Sequence, residues 1–475
     1  MAAPVSLRRI DLRFAFPHEV RRAVVFGLDE WSAGLEEAGV ELGRDGDLDL
    51  AVAPVERASE ALAVGARAVV LEGRGGARRL RRAGYAASRY LPLPSIEAPD
   101  LLLPLEGGAP VGYALETWRP ADTWPKQARN RALAALARLG AFPDPRPLQA
   151  LGLREAGEPA TLAAAGRFGV PAGAGWFLTL GQGDALTRAV FHVFAPGSRN
   201  PGWVVKVARI PGYEEPFAKD EAGLDLVEAA GGSALRHAPR LLGRFEVHGR
   251  HASVESAAVG ERLSTLLSRD ARRGRQAFAD VTGWVSSVGT ETATGGALGE
   301  ELARLEQDVL ARWEAPHHLL SGLDALPAVL QHNDLGTWNV VSAGAGKFTI
   351  LDWESARESG LPLWDLLYFS VDALGQLDRA RTAEQRAEHA VRLLRGELPA
   401  SPTLFEMIRR YVAELGIPVE AVGPLATLCW LHHGLSHVRR GEKLGAEAQI
   451  PPAERIAPVW MEDPLLGLCW DRWRG

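Results

Sequence analysis

The sequence is poor in cysteine, which limits the small stabilising sites that it can form. Its 475 residues include two cysteines, Cys429 and Cys469, and both lie in apolar stretches flanked by tryptophan. Two distant thiols supply neither a disulfide framework nor the four ligands of a structural zinc site. We therefore expect two buried thiols in a reducing compartment.

The sequence also lacks long hydrophobic runs and an excess of basic residues. Residues 1–9 include basic residues, but Asp11, Arg13 and His18 interrupt the apolar core that a signal peptide needs. No later stretch has the length and apolarity of a membrane span. The net charge of -6 and the pI of about 6.1 do not indicate the basic surface that nucleic-acid-binding proteins need. These features predict a cytoplasmic protein with neither a membrane nor a nucleic-acid partner.

The order of apolar runs predicts a small α/β domain at the start of the chain. With 47% hydrophobic residues, the sequence is apolar enough for two or three globular domains. Short β-like runs alternate with helical patterns in the first part, which is typical of a mostly parallel, Rossmann-like sheet. The predicted strands are 23–27, 48–53 and 66–72, and the predicted helices between them are 30–38 and 56–64.

This α/β part lacks the glycine-rich turn with which nucleotide-binding sheets approach a ligand. After the first strand the chain reads FGLDEW at 26–31. Later runs at 89–94, 101–105 and 111–116 predict terminal antiparallel strands. In strand order this part resembles the second half of a class I methyltransferase fold. Because the loop that would hold S-adenosylmethionine is missing, we interpret it as non-catalytic.

The strongest chemical signal is a loop followed by a hairpin in the second half. Residues 329–341 read VLQHNDLGTWNVV and residues 348–354 read FTILDWE. The spacing from Asp334 to Asn339 matches the kinase catalytic loop HRDxxxxN, whose aspartate takes the acceptor hydroxyl proton and whose asparagine binds Mg²⁺. The apolar runs on both sides predict a short hairpin that fixes Asn339 and Asp352 at its two ends.

Phosphoryl transfer requires residues of these types. Negative charge collects on the γ-phosphate oxygens, so magnesium ions must be held there by hard oxygen ligands. Asn339 and Asp352 are suitable ligands, and Asp334 would orient the nucleophile. The alternatives are a chance hairpin with polar ends and a degenerate kinase fold that has kept its skeleton.

From about residue 170 to 475, the sequence resembles the aminoglycoside phosphotransferase and choline kinase-like family, whose loop reads HxDxxxxN. It departs from protein kinases, because HND at 332–334 replaces HRD and DWE at 352–354 replaces DFG. The resemblance implies an α+β, two-lobed protein-kinase-like fold with an antiparallel-sheet N-lobe and a mainly helical C-lobe. It also implies ATP and Mg²⁺ as cofactors and the hydroxyl of a small molecule as acceptor.

Upstream of the loop, the pattern predicts the ATP-binding lobe. Antiparallel strands are expected at 176–180, 189–194 and 203–208, with Gly181 and Gly183 in the turn between the first two. Backbone amides in such a turn can lie over phosphates. A hairpin turn without a ligand would have the same sequence.

Lys206 lies among valines in the third of these strands, in a chain that uses lysine sparingly. An ammonium group in that setting must find an anionic partner or lose its charge. By the resemblance, Lys206 contacts the α- and β-phosphates and pairs with Glu221 on the next helix, with Glu228 as the alternative. A lysine exposed on an edge strand is the other interpretation.

A second hairpin, at 244–248 and 251–256, ends where kinase-like proteins join their lobes. From this position alone, we expect Glu255, Ser256 and Ala257 to read adenine through their backbone groups.

The domain boundaries follow from these assignments. A helix at 126–139 and the closely spaced prolines of 142–147 end the first part, since such prolines terminate helices and stiffen linkers. We assign residues 1–145 to the α/β domain, residues 146–255 to the ATP-binding N-lobe and residues 256–475 to the catalytic, acceptor-binding C-lobe.

Two further residues near the loop are interpreted as structural. His332 is expected to hold the turn through hydrogen bonds to backbone. Asp365 matches the family's aspartate that ties a helix start to the catalytic loop, although an ordinary helix N-terminal charge would have the same sequence.

The sequence leaves the acceptor open. The later helical part contains Trp430, His432, His433, His437, Trp470 and Trp473. Aromatic faces bind sugars and cations, but tryptophans at helical spacing favour a core, and only His433 and His437 could share a face, which makes zinc a poor fit. The candidate acceptors are an aminoglycoside, choline, an amino sugar, a nucleoside and a cell-envelope sugar intermediate. Two other functions are a kinase-like scaffold with little or no activity, and a bifunctional enzyme whose first domain methylates.

Overall fold

The computed structural model describes residues 7–44, 46–121, 123–139, 141, 148–181, 187–212 and 214–444. These residues divide into two units. The sheet unit consists of the described residues of Pro4–Ala218 and Arg240–Val259. The helical unit consists of the described residues of Lys219–Pro239 and Gly260–Gly475.

A large mixed sheet forms the sheet unit. Its strands are β1 (Arg22–Val25), β2 (Glu41–Leu42), β3 (Leu50–Pro54), β4 (Ala68–Glu72), β5 (Ala86–Leu93), β6 (Leu101–Pro104), β7 (Gln149–Leu153), β8 (Gly175–Thr179), β9 (Arg188–Phe194), β10 (Trp203–Ala208), β11 (Leu241–Val247) and β12 (Arg250–Ser256). Among the described residues they form one twelve-stranded sheet in the order β11-β12-β10-β9-β8-β6-β5-β7-β4-β3-β1-β2. Its helices are α1 (Asp29–Glu37), α2 (Ala58–Ala63), α3 (Gly76–Arg82), α4 (Gly108–Tyr113), α5 (Trp124–Arg138) and α6 (Ala160–Ala165), and a 3-10 helix covers Leu7–Ala15.

The parallel strands of this sheet are buried on both faces. Strand β3 pairs in parallel with β1 and β4. Along β3 and β4, Val52 and Val70 belong to one core cluster, whereas Ala51 and Val69 belong to the cluster on the opposite face. Parallel strands that are covered on both sides read as continuous apolar runs. The predicted α/β pattern of the first part is confirmed in these strands and in α1 and α2.

The parallel part and the later antiparallel strands are continuous. Strand β6 pairs with β8, with Leu101 opposite Thr179 and Leu102 opposite Leu178. Strands β8 to β12 pair antiparallel, as predicted. Strand β7 follows the predicted boundary at 145 and yet pairs with β4 and β5. The predicted boundary therefore lies inside one sheet, and a separate first domain stays a prediction.

One predicted strand is wrong. Residues 111–116 continue helix α4 into a π-helical turn instead of extending the sheet. A short apolar run does not distinguish a buried helix from a buried strand. Gly108 at the start of α4 permits close packing on α5, because a Cβ there would collide with the backbone of Arg138.

The helical unit contains helices α7 (Glu215–Ala230, from Lys219 onward), α8 (Gly232–Arg236), α9 (Leu263–Arg269), α10 (Ala271–Thr292), α11 (Gly299–Leu305), α12 (Ala311–Trp313), α13 (Trp364–Leu377), α14 (Ala383–Leu394), α15 (Ser401–Glu414) and α16 (Val422–Leu444). Its strands are β13 (Glu261–Arg262), β14 (Val329–Gln331), β15 (Val340–Gly344), β16 (Lys347–Ile350) and β17 (Arg357–Gly360). Helix α13 contacts α9, α10, α14, α15 and α16. Because it is apolar on nearly all sides, α13 forms the core of this unit.

Trp430 of α16 belongs to the core, as predicted for the tryptophans, and the neighbouring His432 and His433 also pack there. Trp430, His432 and His433 are buried, and the His433 ring stacks on Tyr368 with the ring centroids 3.7 Å apart. Burial lowers the pKa of His432 to about 3. Cys429 is also buried, and burial raises the pKa of its thiol. Cys469, Trp470, Trp473 and the side chain of His437 lie outside the described residues. In the described part of the chain, every helix is too short or too polar to cross a membrane.

Candidate active site

The predicted loop and hairpin form in the helical unit. Strands β15 and β16 pair antiparallel with Val340 opposite Ile350. The next step along this ladder is the hydrogen bond from the Leu351 N–H to the Asn339 carbonyl, at 2.7 Å. The predicted hairpin is confirmed, and Asn339 and Asp352, which flank its two strands, lie together at its open end.

Asn339 also binds Asp334 directly. Its Nδ2 donates to the backbone oxygen of Asp334 at 2.9 Å and to the carboxylate Oδ2 at 3.2 Å. Asn339 is buried and Asp334 is half-buried. Because the amide nitrogen is engaged with Asp334, the amide Oδ1 is the atom that Asn339 can offer to a cation. The structure thus brings Asp334, Asn339 and the start of the Asp352 turn together.

Asp352 adopts an uncommon backbone conformation. Its φ of 65° lies in the left-handed region, as does the φ of 62° at Asn333. Aspartate and asparagine tolerate this region better than most residues. After Asp352 the chain turns so that Trp353 is buried and donates from Nε1 to the Ile350 carbonyl at 3.0 Å, while Asp352 itself stays half-buried.

Helix α7 packs close to this turn. Gly223 makes the approach possible, since a Cβ at this position would collide with the carbonyl oxygen of Trp353. Glu221, the predicted partner of Lys206, is buried two residues earlier on the same helix.

His332 has the structural role that the sequence predicts. Its Nδ1 accepts the N–H of Asp334 at 3.2 Å, and its Nε2 lies 2.9 Å from the Leu351 carbonyl. Because a carbonyl can only accept, the proton belongs on Nε2. One imidazole thus joins the loop at Asp334 to the strand that ends before Asp352.

Asp365 holds the start of the loop and is likewise structural, as predicted. Its carboxylate accepts the N–H groups of His332 at 2.7 Å and Asn333 at 2.9 Å. Burial raises the pKa of Asp365 above its ordinary value, and these two backbone hydrogen bonds oppose the shift.

The sequence reasoning missed a second support on helix α13. Asp372 Oδ2 accepts the N–H of Thr337 at 3.0 Å and its hydroxyl at 2.6 Å. Gln376 donates to the same hydroxyl at 2.8 Å. The available signal was spacing, because Asp365, Asp372 and Gln376 lie seven and four residues apart and so share one face of a helix.

The donor set fits a magnesium ion that arrives with a nucleotide. No group of three or more His, Cys, Asp or Glu side chains in the described residues could hold a metal ion. Asn339 and Asp352 provide one amide and one carboxylate. Mg²⁺ commonly binds one or two carboxylates and completes its shell with phosphate oxygens and water. The two residues therefore suit Mg²⁺ bound to phosphates better than a metal held by protein alone.

In the sheet unit, Lys206 pairs with Glu255. Lys206 on β10 lies 2.5 Å from the carboxylate of Glu255 on β12, and their side chains are 13% and 4% exposed. Strand β10 lies between β9 and β12, so the alternative of a lysine exposed on an edge strand is wrong. The pairing of Lys206 with Glu221 or with the exposed Glu228 stays a prediction.

The backbone groups predicted to read adenine are partly engaged within the sheet unit. Ser256 donates its N–H to Arg240 and Ala257 donates to Gly202, at 2.9 and 3.1 Å. The carbonyl groups of Ser256 and Ala257 are therefore the better candidates for contacts with a base. That readout stays a prediction.

The predicted phosphate turn is described only at its start. Gly181 follows β8 with a φ of 53°, which glycine adopts without strain. Gly183 lies outside the described residues, and the role of both glycines stays a prediction.

A buried polar network closes the carboxyl end of β4, where a sheet of this type would bind a cofactor. Glu72 accepts from Arg9 at 2.5 Å, from Trp31 at 2.7 Å and from Gln149 at 3.0 Å. Glu72, Trp31 and Gln149 are all buried. The Leu7–Ala15 segment, which carries Arg9, thus occupies this strand end.

Comparison with known proteins gives structural but no sequence matches. No family model matches the chain, and a search of curated proteins finds no match. The structure is similar to aminoglycoside phosphotransferase APH(3'')-Id from Streptomyces rimosus, with 19% identity and a TM-score of 0.35 over 57% of this chain and 94% of that one.

Two further solved structures are similar to this chain. One is the bifunctional kinase-methyltransferase WbdD, with 14% identity and a TM-score of 0.27 over 87% of this chain and 88% of that one. The other is the autoinhibited serine kinase domain of titin, with 12% identity and a TM-score of 0.25 over 61% and 83%. The aminoglycoside phosphotransferases are the family that the loop sequence resembles.

Proposed function

We propose that the chain is an ATP-dependent phosphotransferase with a protein-kinase-like, two-lobed fold, and that it transfers the γ-phosphate to a hydroxyl of a small molecule. One observation carries the proposal. The Asn339 side chain holds the Asp334 carboxylate, while its backbone carbonyl is tied to the residue before Asp352. A candidate base and two hard oxygen ligands are thereby held in one loop and one hairpin, which is the set that phosphoryl transfer uses.

Each of these groups has a task in the proposed reaction. Asp334 accepts the proton of the acceptor hydroxyl as that oxygen attacks the γ-phosphorus. Asn339 Oδ1 and the Asp352 carboxylate hold Mg²⁺, which neutralises charge on the phosphate oxygens when it is bound. The hydrogen bonds from helix α13 and His332 hold the loop in place, so little reorganisation precedes the reaction.

We assign Lys206 to the α- and β-phosphates of ATP. Its ion pair with Glu255 orients the ammonium group on a strand that is paired on both sides. A lysine whose ammonium group is oriented by a carboxylate can bind a phosphate as a point charge.

The proposed acceptor is an amino sugar, an aminoglycoside, a choline-like alcohol or another sugar. Methylation by the α/β part receives no support, because the network around Glu72 occupies the strand end where S-adenosylmethionine would be expected. The alternative function is a kinase-like scaffold without activity. The following experiment distinguishes it from the proposed phosphotransferase.

The test is replacement of the base by its isosteric amide. We expect Asp334→Asn to lower transfer by at least about 100-fold, since a positioned general base contributes on that order, and to leave Mg²⁺-ATP binding nearly unchanged. Asp324→Asn, at an exposed position of the helical unit, is the matched control. ATP consumption is measured over a panel of aminoglycosides, choline-like amines, nucleosides and sugars.

Two outcomes would count against the proposal. If the wild-type chain binds no nucleotide in the presence of Mg²⁺, it is a scaffold. If Asp334→Asn transfers phosphate at the wild-type rate, Asp334 is not the base.

A further inference from the structure

A recess in the sheet unit brings together four basic side chains that the proposed reaction does not use. Its cavity volume is about 30 Å³, and the space that includes its opening to solvent is about 400 Å³. Arg13, His18, His248 and Arg250 line it, together with one acidic residue, Glu19, the hydroxyl-bearing Thr161 and apolar side chains. The first two residues come from the start of the chain, and the last two come from the end of β11 and the start of β12.

Arg13 is buried without a full set of partners. It is 7% exposed, and its Nη2 donates to the backbone carbonyl of Arg209. Its Nε and Nη1 are buried and have no hydrogen-bond partner within the described residues. A buried donor that lacks an acceptor costs free energy, so native structures rarely leave one unmet. These two donors need an acceptor in the recess.

A second guanidinium group converges on the same point. Arg250 donates from Nε to the Arg209 carbonyl at 3.3 Å and from Nη1 to the His248 carbonyl at 3.4 Å. Burial and the nearby positive charge of Arg250 lower the pKa of Arg13 to about 9, against the opposing effect of Asp11. Two cations share one carbonyl acceptor here, which favours an anion beside them.

Each nearby carboxylate contacts another cation through one oxygen, and Asp11 Oδ1 is buried without a partner among the described residues. Asp11 and the Arg209 side chain form a fully buried ion pair at 2.8 Å. Glu19 lies 2.5 Å from the exposed guanidinium of Arg21. Neither carboxylate supplies the missing acceptors of Arg13, since those atoms have no partner within the described residues.

Two histidine rings line the same recess. The Nε2 atoms of His18 and His248 are both buried and lack a partner among the residues described. Burial lowers the pKa of both rings, so each is mainly neutral at pH 7. A neutral imidazole that carries its proton on Nε2 can donate it to an oxyanion, which suits His248. The Asp49 carbonyl accepts a hydrogen bond from the His18 ring, so His18 Nε2 donates only when that ring is protonated.

We propose that this recess binds a small oxyanion of the phosphate type, held by Arg13 and Arg250 with His18 and His248 around it. Guanidinium groups suit this ligand, because their planar N–H donors match the spacing of phosphate oxygens. The recess lies in the sheet unit, whereas Asp334, Asn339 and Asp352 lie in the helical unit. The inference therefore does not rest on the proposed transfer reaction.

The experiment titrates inorganic phosphate, and separately glycerol phosphate, into the full chain at constant ionic strength, with chloride as the reference anion. Binding is measured by calorimetry and by the rise in Tm that a ligand of the folded state produces. We expect a rise with phosphate but not with chloride. Arg13→Gln and Arg250→Gln should each weaken binding by about tenfold or more, which corresponds to the loss of one charge-assisted hydrogen bond.

A matched charge-removing variant separates the site from general electrostatics. Arg82→Gln, at an exposed position at the end of α3, should bind phosphate like the wild type. The proposal is overturned if phosphate acts no differently from chloride, or if Arg82→Gln loses as much affinity as Arg13→Gln. If Arg13→Gln does not fold, the half-buried Arg250 provides the same test. Tighter binding of glycerol phosphate would identify a phosphorylated small molecule, and tighter binding of inorganic phosphate would identify the free ion.

Discussion

The hydroxyl of Thr337 offers a direct test of how helix α13 supports the catalytic loop. Thr337 is fully buried, and its Oγ1 donates to Asp372 at 2.6 Å and accepts from Gln376 at 2.8 Å. Thr337→Val keeps the β-branched shape and removes both hydrogen bonds. Hydrogen bonds to charged groups contribute about 1.5–3 kcal/mol and neutral ones about 0.5–1.5 kcal/mol. We therefore expect a loss of about 2–4.5 kcal/mol in the free energy of unfolding.

Thr290→Val is the matched control. Thr290 is exposed on α10, and its hydroxyl donates to the carbonyls of Ser286 and Ser287 within its own helix. Surface substitutions of this kind change stability by no more than about 0.5 kcal/mol. Equilibrium urea unfolding, followed by tryptophan fluorescence, compares the two variants with the wild type.

A double-mutant cycle assigns the effect to the contact itself. Thr337→Val is combined with Asp372→Leu, which removes the acceptor oxygens, and the coupling free energy is the departure from additivity. Residues in one hydrogen-bonded network couple by about 0.5–3 kcal/mol. The reasoning is refuted if Thr337→Val costs no more than Thr290→Val, or if the two changes at 337 and 372 simply add.

Two further predictions concern packing and pH. Gly223→Ala should destabilise the chain by about 1–3 kcal/mol in urea unfolding, because the added Cβ would collide with Trp353 and overpack the contact. The control Gly283→Ala on α10 places its Cβ in open space and should be neutral or stabilising by up to about 1 kcal/mol. Equal effects of the two substitutions would contradict the packing argument. Burial lowers the pKa of His432 from 6.5 to about 3, so the unfolded chain takes up the proton first and stability falls as the pH drops from 6.5 towards 3. His432→Leu should flatten this part of a stability-against-pH curve, and an unchanged slope would show that the ring is not buried as described.

The loop and hairpin were predictable because their residues are consecutive in the sequence. The apolar runs at 340–341 and 348–351 fix the hairpin, and its geometry then brings Asn339 and Asp352 to one end. His332 is likewise within hydrogen-bond reach of the strand that its own loop leads into. Local spacing is enough to predict such features.

Contacts between distant segments were not predictable. In the sequence, Asp372 and Gln376 are ordinary polar residues of an apolar helix. Their hydrogen bonds to Thr337 depend on how that helix packs against the loop. Lys206 finds Glu255 through strand pairing, whereas the sequence had assigned Glu255 only a backbone role. Strand β7 is a short apolar run whose place between β4 and β5 depends on pairings far apart in the chain.

The most direct test of the central claim is the Mg²⁺ dependence of ATP binding. Calorimetry measures the dissociation constant of ATP with and without Mg²⁺ for the wild type, Asp352→Asn and the control Asp324→Asn. If Asn339 and Asp352 hold the ion, the wild type and the control bind ATP at least about tenfold more tightly with Mg²⁺, and Asp352→Asn loses most of this difference. An Asp352→Asn variant that keeps the full Mg²⁺ dependence, or a wild type that shows none, would contradict the account.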